Sequence, residues 1–375
     1  MNTYYNPVRT IEGKGCIQEL PDVIRKAVSR ETPILLLSYD ESVFEGEPFK
    51  SLLKSREFRI HPLCFQASNP TIDQLYDTWK KTEPYSIGLV IAVGGGSVMD
   101  IGKSLCCIYG QKILSVEELR DKIVEKNYSH PKAKWIGVPT TAGTGSEVTC
   151  WATIWDPKKN AKRSVESQEN YAYSAVVDSD LASGMPVSLS VSSALDAAAH
   201  GVESYWAKGS NLVSKGVALE AVKKIMGAME GLLENKTEAH ERMAEGSMLA
   251  GLAFSNTKTT ACHSISYPLT MHYGIPHGVA VSMLLAPVLK MNLEKTEEPE
   301  RLLDALGVES PDALKEKIQD IFKRASIPGT LKGWHVEYER IPELARLGMT
   351  KGRADNNPVE LTCEKIEELL KSIYE

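Results

Sequence analysis

The chain has 375 residues, of which 42% are hydrophobic, 25% charged and 7% aromatic, and such values exclude a disordered or fibrous protein. Its 43 Lys and Arg residues and 49 Asp and Glu residues give a net charge of −6, and no run of like charge predicts a nucleic-acid-binding arm or a membrane-surface patch. The longest apolar stretches, such as Ile87–Val93 and Val279–Val288, are too short to span a bilayer, and the N-terminus lacks the pattern of a secretory signal. The 7 cysteines form no CxxC pair, which argues against a disulfide framework and favours reduced thiols in a cytoplasmic enzyme.

The first 180 or so residues alternate short apolar runs with helical stretches. The runs that predict buried strands are Ile34–Leu37, Phe58–Phe65, Ile87–Val93 and Trp135–Val138. Helical patterns between them cover Thr71–Lys81 and Val98–Ile108. Strands that alternate with helices predict a parallel sheet with helices on both faces.

After about Pro186 the pattern changes to long helices with few strand-like runs. The predicted helices are Leu189–Tyr205, Val213–Leu233, Glu238–Ser255 and Glu360–Tyr374. Their apolar residues recur at spacings of three and four, which is typical of an amphipathic helix. We therefore expect an α/β domain over residues 1–183 and an all-α domain over residues 184–375.

A glycine loop joins the strand Ile87–Val93 to the helix that follows it. Gly94, Gly95, Gly96 and Ser97 stand at this junction, and Asp100 lies in the first turn of the helix. Glycines allow a close approach of the backbone, and a helix N-terminus offers free N–H groups to an anion, so a diphosphate fits there. The loop matches neither GxGxxG nor the Walker pattern, which leaves a structural tight turn as the alternative.

A second polar loop follows the strand Trp135–Val138 and contains Thr140, Thr141, Thr144 and Ser146. Open α/β sheets bind ligands at the carboxyl ends of their parallel strands. The alternative is a capped helix start at Thr144 or Ser146. Two such loops on one sheet favour a dinucleotide that is bound by both.

The acidic residue that would bind the adenosine ribose is expected after the strand Ile34–Leu37. The candidates are Ser38, Tyr39 and Asp40. Asp40 at the 2′-hydroxyl would favour NAD, whereas Tyr39 or Ser38 at this position would leave room for the 2′-phosphate of NADP. The residues leave both cofactors open.

One aspartate and three histidines form a candidate metal site. Asp196 and His200 are four residues apart and share one helix face, although such a pair alone is also common as a surface hydrogen bond. His263 lies in an apolar helical context, and His277 precedes a new apolar helix. One carboxylate and three imidazoles suit Fe²⁺ or Zn²⁺ and leave a position for a substrate oxygen, as a catalytic metal requires.

Together these residues resemble the iron-containing (group III) alcohol dehydrogenase family. The glycine loop with Asp100 and Lys103 resembles the family's GGGSxxDxxK element, and residues 139–147 resemble its PTTxGTGSE element. Asp196, His200, His263 and His277 match the family's metal ligands in identity and spacing. The resemblance implies a Rossmann-like N-terminal domain that binds NAD or NADP and an all-helical C-terminal domain that holds the metal, as in dehydroquinate synthase-like folds.

The resemblance also implies an activity and roles for single residues. The activity is the reversible conversion of an alcohol to an aldehyde or ketone by a homodimer. Gly95, Gly96 and Ser97 would hold the diphosphate, Lys162 would lie near the cofactor ribose, and the remaining cofactor contacts would come from the second loop through Thr140, Thr141 and Thr144. Many members have a histidine four residues after the ligand at His263, where this chain has Tyr267, so Tyr267 would either hydrogen-bond the substrate or pack.

The substrate prediction depends on the segment Met349–Pro358, which resembles the closing segment of phosphonoacetaldehyde reductases within this family. A phosphonate needs cationic donors, and the candidates are Arg353, Lys258 and Lys351, each of which is alternatively a solvated surface charge. The rival substrates are simple aldehydes, short alcohols and diols. A lyase of the dehydroquinate synthase type is disfavoured because its site needs a different ligand set.

Overall fold

The structure is a computed structural model, and it describes residues 3–128, 130–159, 161–350 and 352–375. The chain divides into two compact units. The α/β unit comprises Asn6–Thr141 and Ser146–Ala182. The helical unit comprises Ser183–Glu375, together with Ala142–Gly145 and the described residues before Asn6.

The α/β unit contains a six-stranded sheet in which every pairing is parallel, in the order β1-β8-β5-β4-β2-β3. Strands β6 and β7 form a separate antiparallel hairpin. In chain order the strands are β1 (Arg9–Glu12), β2 (Pro33–Ser38), β3 (Arg59–Cys64), β4 (Leu89–Gly94), β5 (Lys134–Pro139), β6 (Trp151–Asp156), β7 (Ala161–Glu166) and β8 (Ser174–Val177).

Two hydrophobic cores cover the two faces of this sheet. Neighbouring residues of a strand point to opposite faces, so Leu35 and Val90 enter one core while Leu36 and Ile91 enter the other. The first core is closed by α3, α4 and α5, and the second by α1 and α2. The helices of the unit are α1 (Leu20–Ala27), α2 (Phe49–Lys54), α3 (Ile72–Thr82), α4 (Gly96–Ile108), α5 (Val116–Glu125) and α6 (Ser179–Ala182).

The helical unit has a single core to which nearly all of its helices contribute. Helices α7, α8 and α9 pack against one another, and α11 packs against α7, α10 and α13. The helices are α7 (Val187–Trp206), α8 (Leu212–Leu233), α9 (Thr237–Thr257), α10 (Ala261–Tyr273), α11 (His277–Asn292), α12 (Pro299–Leu306), α13 (Pro311–Arg324), α14 (Ile341–Leu347) and α15 (Cys363–Ser372).

Most predicted elements have observed ends within two residues of the predicted ones. The prediction for the C-terminal helix was too long, because its N-cap is Thr362, whose side chain accepts a hydrogen bond from the backbone N–H of Lys365 at 3.3 Å. Among the described residues, no helix combines the length and apolar character that crossing a membrane requires.

Candidate active site

Three helices of the helical unit carry the four predicted metal ligands. Asp196 and His200 lie one turn apart on α7, and both are buried. His263 lies in the first turn of α10, and His277 is the first residue of α11. The helical periodicity of α7 therefore presents two of these side chains to the space that the starts of α10 and α11 approach.

Three of the four side chains bring their ligand atoms together, and the fourth, His200, stacks on one of them. One carboxylate oxygen of Asp196 and one ring nitrogen each of His263 and His277 all lie within 4.8 Å of one another. The ring of His200 stacks on the ring of His263 with 4.4 Å between centroids. Asp196 Oδ1 is 3.4 Å from His263 Nε2.

Three polar atoms of these side chains are buried without a hydrogen bond to any described residue. Asp196 Oδ1, His200 Nδ1 and His263 Nε2 are buried and have no hydrogen-bond partner in the described part of the chain. Buried polar atoms without partners are costly, and a carboxylate with imidazoles is a donor set that suits a divalent transition metal. The residues present therefore fit a bound cation.

The electrostatics of the cluster also favour a cation. Burial alone raises the pKa of Asp196, but the three surrounding imidazoles outweigh burial and hold this pKa below its usual value, which keeps the carboxylate ionised. Burial lowers the pKa of His200 to about 4, so its ring is neutral and able to bind a metal.

In the α/β unit, the glycine loop forms the predicted strand–turn–helix junction. Gly94 ends β4, Gly95 is the N-cap of α4 and Gly96 is the first residue of the helix. A Cβ at Gly94 would lie 2.6 Å from Val98 Cγ2, so a larger residue does not fit there. Ser97 Oγ accepts a hydrogen bond from the backbone N–H of Asn69 at 3.2 Å.

Asp100 connects the glycine helix to the second loop. Its carboxylate accepts hydrogen bonds from the backbone N–H of Thr153 at 2.9 Å and from Ser146 Oγ at 3.1 Å. Both Asp100 and Ser146 were predicted to contact the cofactor. These hydrogen bonds join the glycine helix to the second loop and to β6, and the contacts of the pair with the cofactor stay predictions.

The remaining predicted cofactor residues are divided between the two units. Thr140 donates its backbone N–H to Gly94 O at 3.1 Å, and the Thr141 hydroxyl would lie 3.0 Å from a Cβ at Gly95, so these threonines adjoin the glycine loop. Thr144 belongs to the helical unit.

Asp40 and Lys162 belong to the α/β unit. Asp40 follows β2, and its carboxylate accepts from the backbone N–H of Ser42 at 2.9 Å; hydrogen bonds from Ser42 hold the pKa of Asp40 below its usual value. Lys162 lies on β7 with its ammonium 5.7 Å from the centre of the Trp155 ring. Their contacts with ribose stay predictions.

Comparison with known proteins decides the family. The family model described as "Iron-containing alcohol dehydrogenase" matches residues 7–179, and the model described as "Fe-containing alcohol dehydrogenase family, C-terminal" matches residues 190–374. The chain belongs to the iron-containing alcohol dehydrogenase family. Membership confirms the predicted resemblance, the fold class and the assignment as an oxidoreductase that acts on CH–OH groups with NAD(P), with iron as the family's metal.

The chain is also similar to individual proteins along most or all of its length. Lactaldehyde reductase of Escherichia coli strain K12 is 30% identical over 82% of each chain. The NAD-dependent methanol dehydrogenase of Bacillus methanolicus is 26% identical over 99% of this chain and 100% of its own. The crystal structure of sulfoacetaldehyde reductase from Bifidobacterium kashiwanohense in complex with NAD+ is 27% identical, with a TM-score of 0.89 over 100% of this chain and 98% of its own.

Tyr267, where many members of the family have histidine, adjoins the candidate metal ligands. It lies one turn after His263 on α10, and its ring stacks on that of His277 with 5.8 Å between centroids. Its hydroxyl accepts a hydrogen bond from Arg353 Nε at 2.5 Å. Burial raises the pKa of Tyr267 to about 12, although the nearby Arg353 opposes this shift.

The segment that carries Arg353 is tied to α10 through Ser264. The Ser264 hydroxyl donates to Gly348 O at 2.5 Å and accepts from the backbone N–H of Thr350 at 2.9 Å. Of the other predicted substrate cations, Lys258 is exposed at the end of α9, and Lys351 lies outside the described residues.

Two buried charged residues near the site have roles that were not predicted from the sequence. Lys103 is fully buried, and its ammonium donates to Ser146 O at 2.8 Å and to Trp151 O at 2.7 Å, which holds together the segments that follow β5. Glu203 is fully buried on α7 and contacts the His263 ring. A signal for Glu203 existed, because it lies three residues after His200 and so shares its helix face.

Proposed function

We propose that this iron-containing alcohol dehydrogenase reduces phosphonoacetaldehyde to 2-hydroxyethylphosphonate with NAD(P)H. The observation that carries the proposal is the contact of Arg353 with Tyr267, because Tyr267 in turn stacks on the candidate ligand His277. An arginine is therefore linked to the candidate ligands through Tyr267, and a guanidinium is suited to the anionic end of such an aldehyde.

We propose that Asp196, His200, His263 and His277 hold the metal. When bound, the metal would supply Lewis acidity to the substrate oxygen and the nicotinamide would supply the hydride. Asp196 contributes the one carboxylate of the set, so it offsets part of the charge of a divalent ion. The three imidazoles are neutral ligands that leave the rest of that charge available to polarise a carbonyl.

Tyr267 would keep its proton throughout the working pH range, because burial raises its pKa to about 12. A neutral phenol can donate a hydrogen bond but does not act as a base. We therefore propose that Tyr267 orients Arg353 and the substrate, and that the proton for the product alcohol comes from water.

Arg353 would bind the phosphonate. Its Nε is engaged by Tyr267, and within the described part of the chain no carboxylate neutralises it. The terminal nitrogens of a guanidinium form paired hydrogen bonds with the oxygens of phosphonate-like anions. The ring of Tyr267 lies 5.5 Å below the guanidinium carbon, which restricts the plane of the group.

A second candidate substrate is sulfoacetaldehyde. It is favoured by the high structural similarity to the sulfoacetaldehyde reductase of Bifidobacterium kashiwanohense. A sulfonate has the same tetrahedral arrangement of oxygens as a phosphonate, so the same arginine would recognise it. The two substrates differ in charge and not in length, and kinetics must separate them.

The test compares kcat/KM for phosphonoacetaldehyde, sulfoacetaldehyde and butyraldehyde by the oxidation of NAD(P)H. We expect the phosphonate to be preferred, and Arg353→Ala to lower its kcat/KM by about 10- to 100-fold, since a hydrogen bond to a charged group contributes about 1.5–3 kcal/mol, while butyraldehyde turnover changes little. The control is Arg346→Ala, which removes the same charge from an exposed position on α14 and should change neither value.

Three outcomes would contradict the proposal. Equal kcat/KM for butyraldehyde and phosphonoacetaldehyde would indicate a general alcohol dehydrogenase. Preference for sulfoacetaldehyde would move the assignment to the sulfonate. An Arg353→Ala enzyme that keeps its preference for the anionic aldehyde would remove Arg353 from the site.

A further inference from the structure

Glu203 is a buried acidic residue that is not among the four predicted metal ligands. It lies on α7 with Asp196 and His200, and its side chain is completely buried. A buried carboxylate is retained only where several donors compensate its desolvation. The donors that reach Glu203 therefore indicate what it does.

One oxygen of Glu203 is held by the start of α10. Glu203 Oε1 accepts hydrogen bonds from the Thr260 hydroxyl at 2.9 Å, from the backbone N–H of Cys262 at 2.7 Å and from the backbone N–H of His263 at 3.4 Å. Thr260 precedes α10 without capping it through its own side chain. Glu203 thus takes the place of a capping residue from a neighbouring helix, which fixes the direction of its carboxylate.

The other oxygen contacts the His263 ring. Glu203 Oε2 pairs with His263 Nδ1. Because an ionised carboxylate only accepts hydrogen bonds, Nδ1 must carry the proton. In the neutral imidazole the lone pair then lies on Nε2. This buried atom of His263 has no hydrogen-bond partner among the residues that the structure describes, and it is 3.4 Å from Asp196 Oδ1.

We infer that Glu203 is a positioning residue that selects the tautomer of His263 in which Nε2 binds the cation, and fixes the ring by its attachment to the start of α10. The inference rests on the metal role proposed for Asp196, His200, His263 and His277. It does not depend on which aldehyde is the substrate. A carboxylate behind a histidine ligand typically changes metal affinity by 10- to 100-fold.

The decisive variant is Glu203→Gln. If the glutamine carbonyl keeps the donors at the start of α10, its amide NH₂ faces Nδ1 of His263. Nδ1 must then accept a hydrogen bond, and the proton moves to Nε2, where it blocks metal binding. We expect the dissociation constant of the full chain for Zn²⁺, measured by competition with a chelator, to rise by about 10- to 100-fold.

The matched control is Trp206→Phe. The Trp206 indole donates to the Thr260 hydroxyl at 2.8 Å, so this change removes a hydrogen bond from the same buried network without touching Glu203 or His263. We expect it to lower the melting temperature while the Zn²⁺ affinity stays near that of the wild type. Equal affinity losses in Trp206→Phe and Glu203→Gln, or an unchanged affinity in Glu203→Gln, would overturn the inference.

The wild-type protein tests the tautomer even if Glu203→Gln does not fold. In ¹⁵N-histidine NMR spectra of the zinc-loaded full chain, His263 should show a protonated Nδ1 and a metal-bound Nε2, with the resonance assigned through its loss in His263→Ala. A protonated Nε2, or a metal-bound Nδ1, would contradict the role of Glu203. Neither result depends on turnover, so failure here is distinguishable from failure of the substrate assignment.

Discussion

At the scale of single residues, Glu147 is a buried carboxyl close to the second loop. Its side chain is 3% exposed and packs on Gly137, where a Cβ would lie 2.9 Å from that of Glu147. Burial raises its pKa from 4.5 to about 7, a shift that its own backbone N–H and Lys103 only partly oppose. The carboxyl therefore keeps its proton in the folded state at pH values where it ionises in the unfolded chain.

This shift predicts how stability changes with pH. Between pH 4.5 and about 7 the folded state binds more protons at Glu147 than the unfolded state does, so the free energy of unfolding falls as pH rises through this window. In Glu147→Gln the side chain cannot ionise, so the free energy of unfolding should lose this pH dependence. The difference in the free energy of unfolding between Glu147→Gln and the wild type should therefore shift in favour of the variant by up to about 3 kcal/mol between pH 4 and pH 8.

Denaturant unfolding of both proteins at several pH values measures this difference. The control is Glu125→Gln at an exposed position on α5, which should leave the pH profile unchanged. Parallel profiles for the wild type and Glu147→Gln would show that the folded environment does not perturb this carboxyl.

At the scale of elements, the approach of α11 to α7 determines how Asp196 and His277 lie relative to each other. A Cβ at Gly278 would lie 2.2 Å from the backbone oxygen of Ser192 and 3.2 Å from Asp196 Cβ. Gly278 directly follows His277. The absence of a side chain therefore allows the start of α11 to lie against the turn of α7 that carries Asp196.

Gly278→Ala should separate these two helices. We expect a loss of stability of about 1–3 kcal/mol, typical of overpacking, together with weaker metal binding, because Asp196 and His277 move apart. Gly216→Ala is the control, since that exposed glycine of α8 has space for a Cβ, and alanine favours a helix by about 0.5–1 kcal/mol. Thermal unfolding and metal titration of both variants test this; unchanged metal affinity in Gly278→Ala would contradict it.

The elements also differ in how far the sequence predicts them. The central strands β2 and β4 are long apolar runs and are found where predicted, whereas β1 and β8 have four residues each and lack a pattern that distinguishes them from a loop. The hairpin of β6 and β7 was not predicted, because β7 is mostly polar and is half-buried at every position except Val165, so no apolar run marks it as a partner for β6.

The residues of the candidate site also differ in how far the sequence predicts them. Residues whose chemistry depends on local spacing, such as Asp196 with His200, are visible in the sequence. Glu203 and Lys103 act through contacts with residues more than 40 positions away, and only the fold brings those partners together. The hydrogen bond between Arg353 and Tyr267 is likewise a tertiary contact, since the two residues are 86 positions apart in the chain.

At the scale of the whole molecule, the family assignment covers both units, while the proposed metal chemistry lies within one of them. The four candidate ligands span residues 196–277 and come from three helices of the helical unit. The buried polar atoms of this cluster that have no partner within the described ranges are the physical basis for proposing a bound ion.

The most direct test is the metal content of the purified wild-type protein and of Asp196→Ala, measured by elemental analysis alongside NAD(P)H-dependent aldehyde reduction in the same preparations. We expect about one divalent ion per chain in the wild type, and loss of both the ion and the activity in Asp196→Ala. An Asp196→Ala protein that reduces aldehydes at the wild-type rate without a bound ion would contradict it.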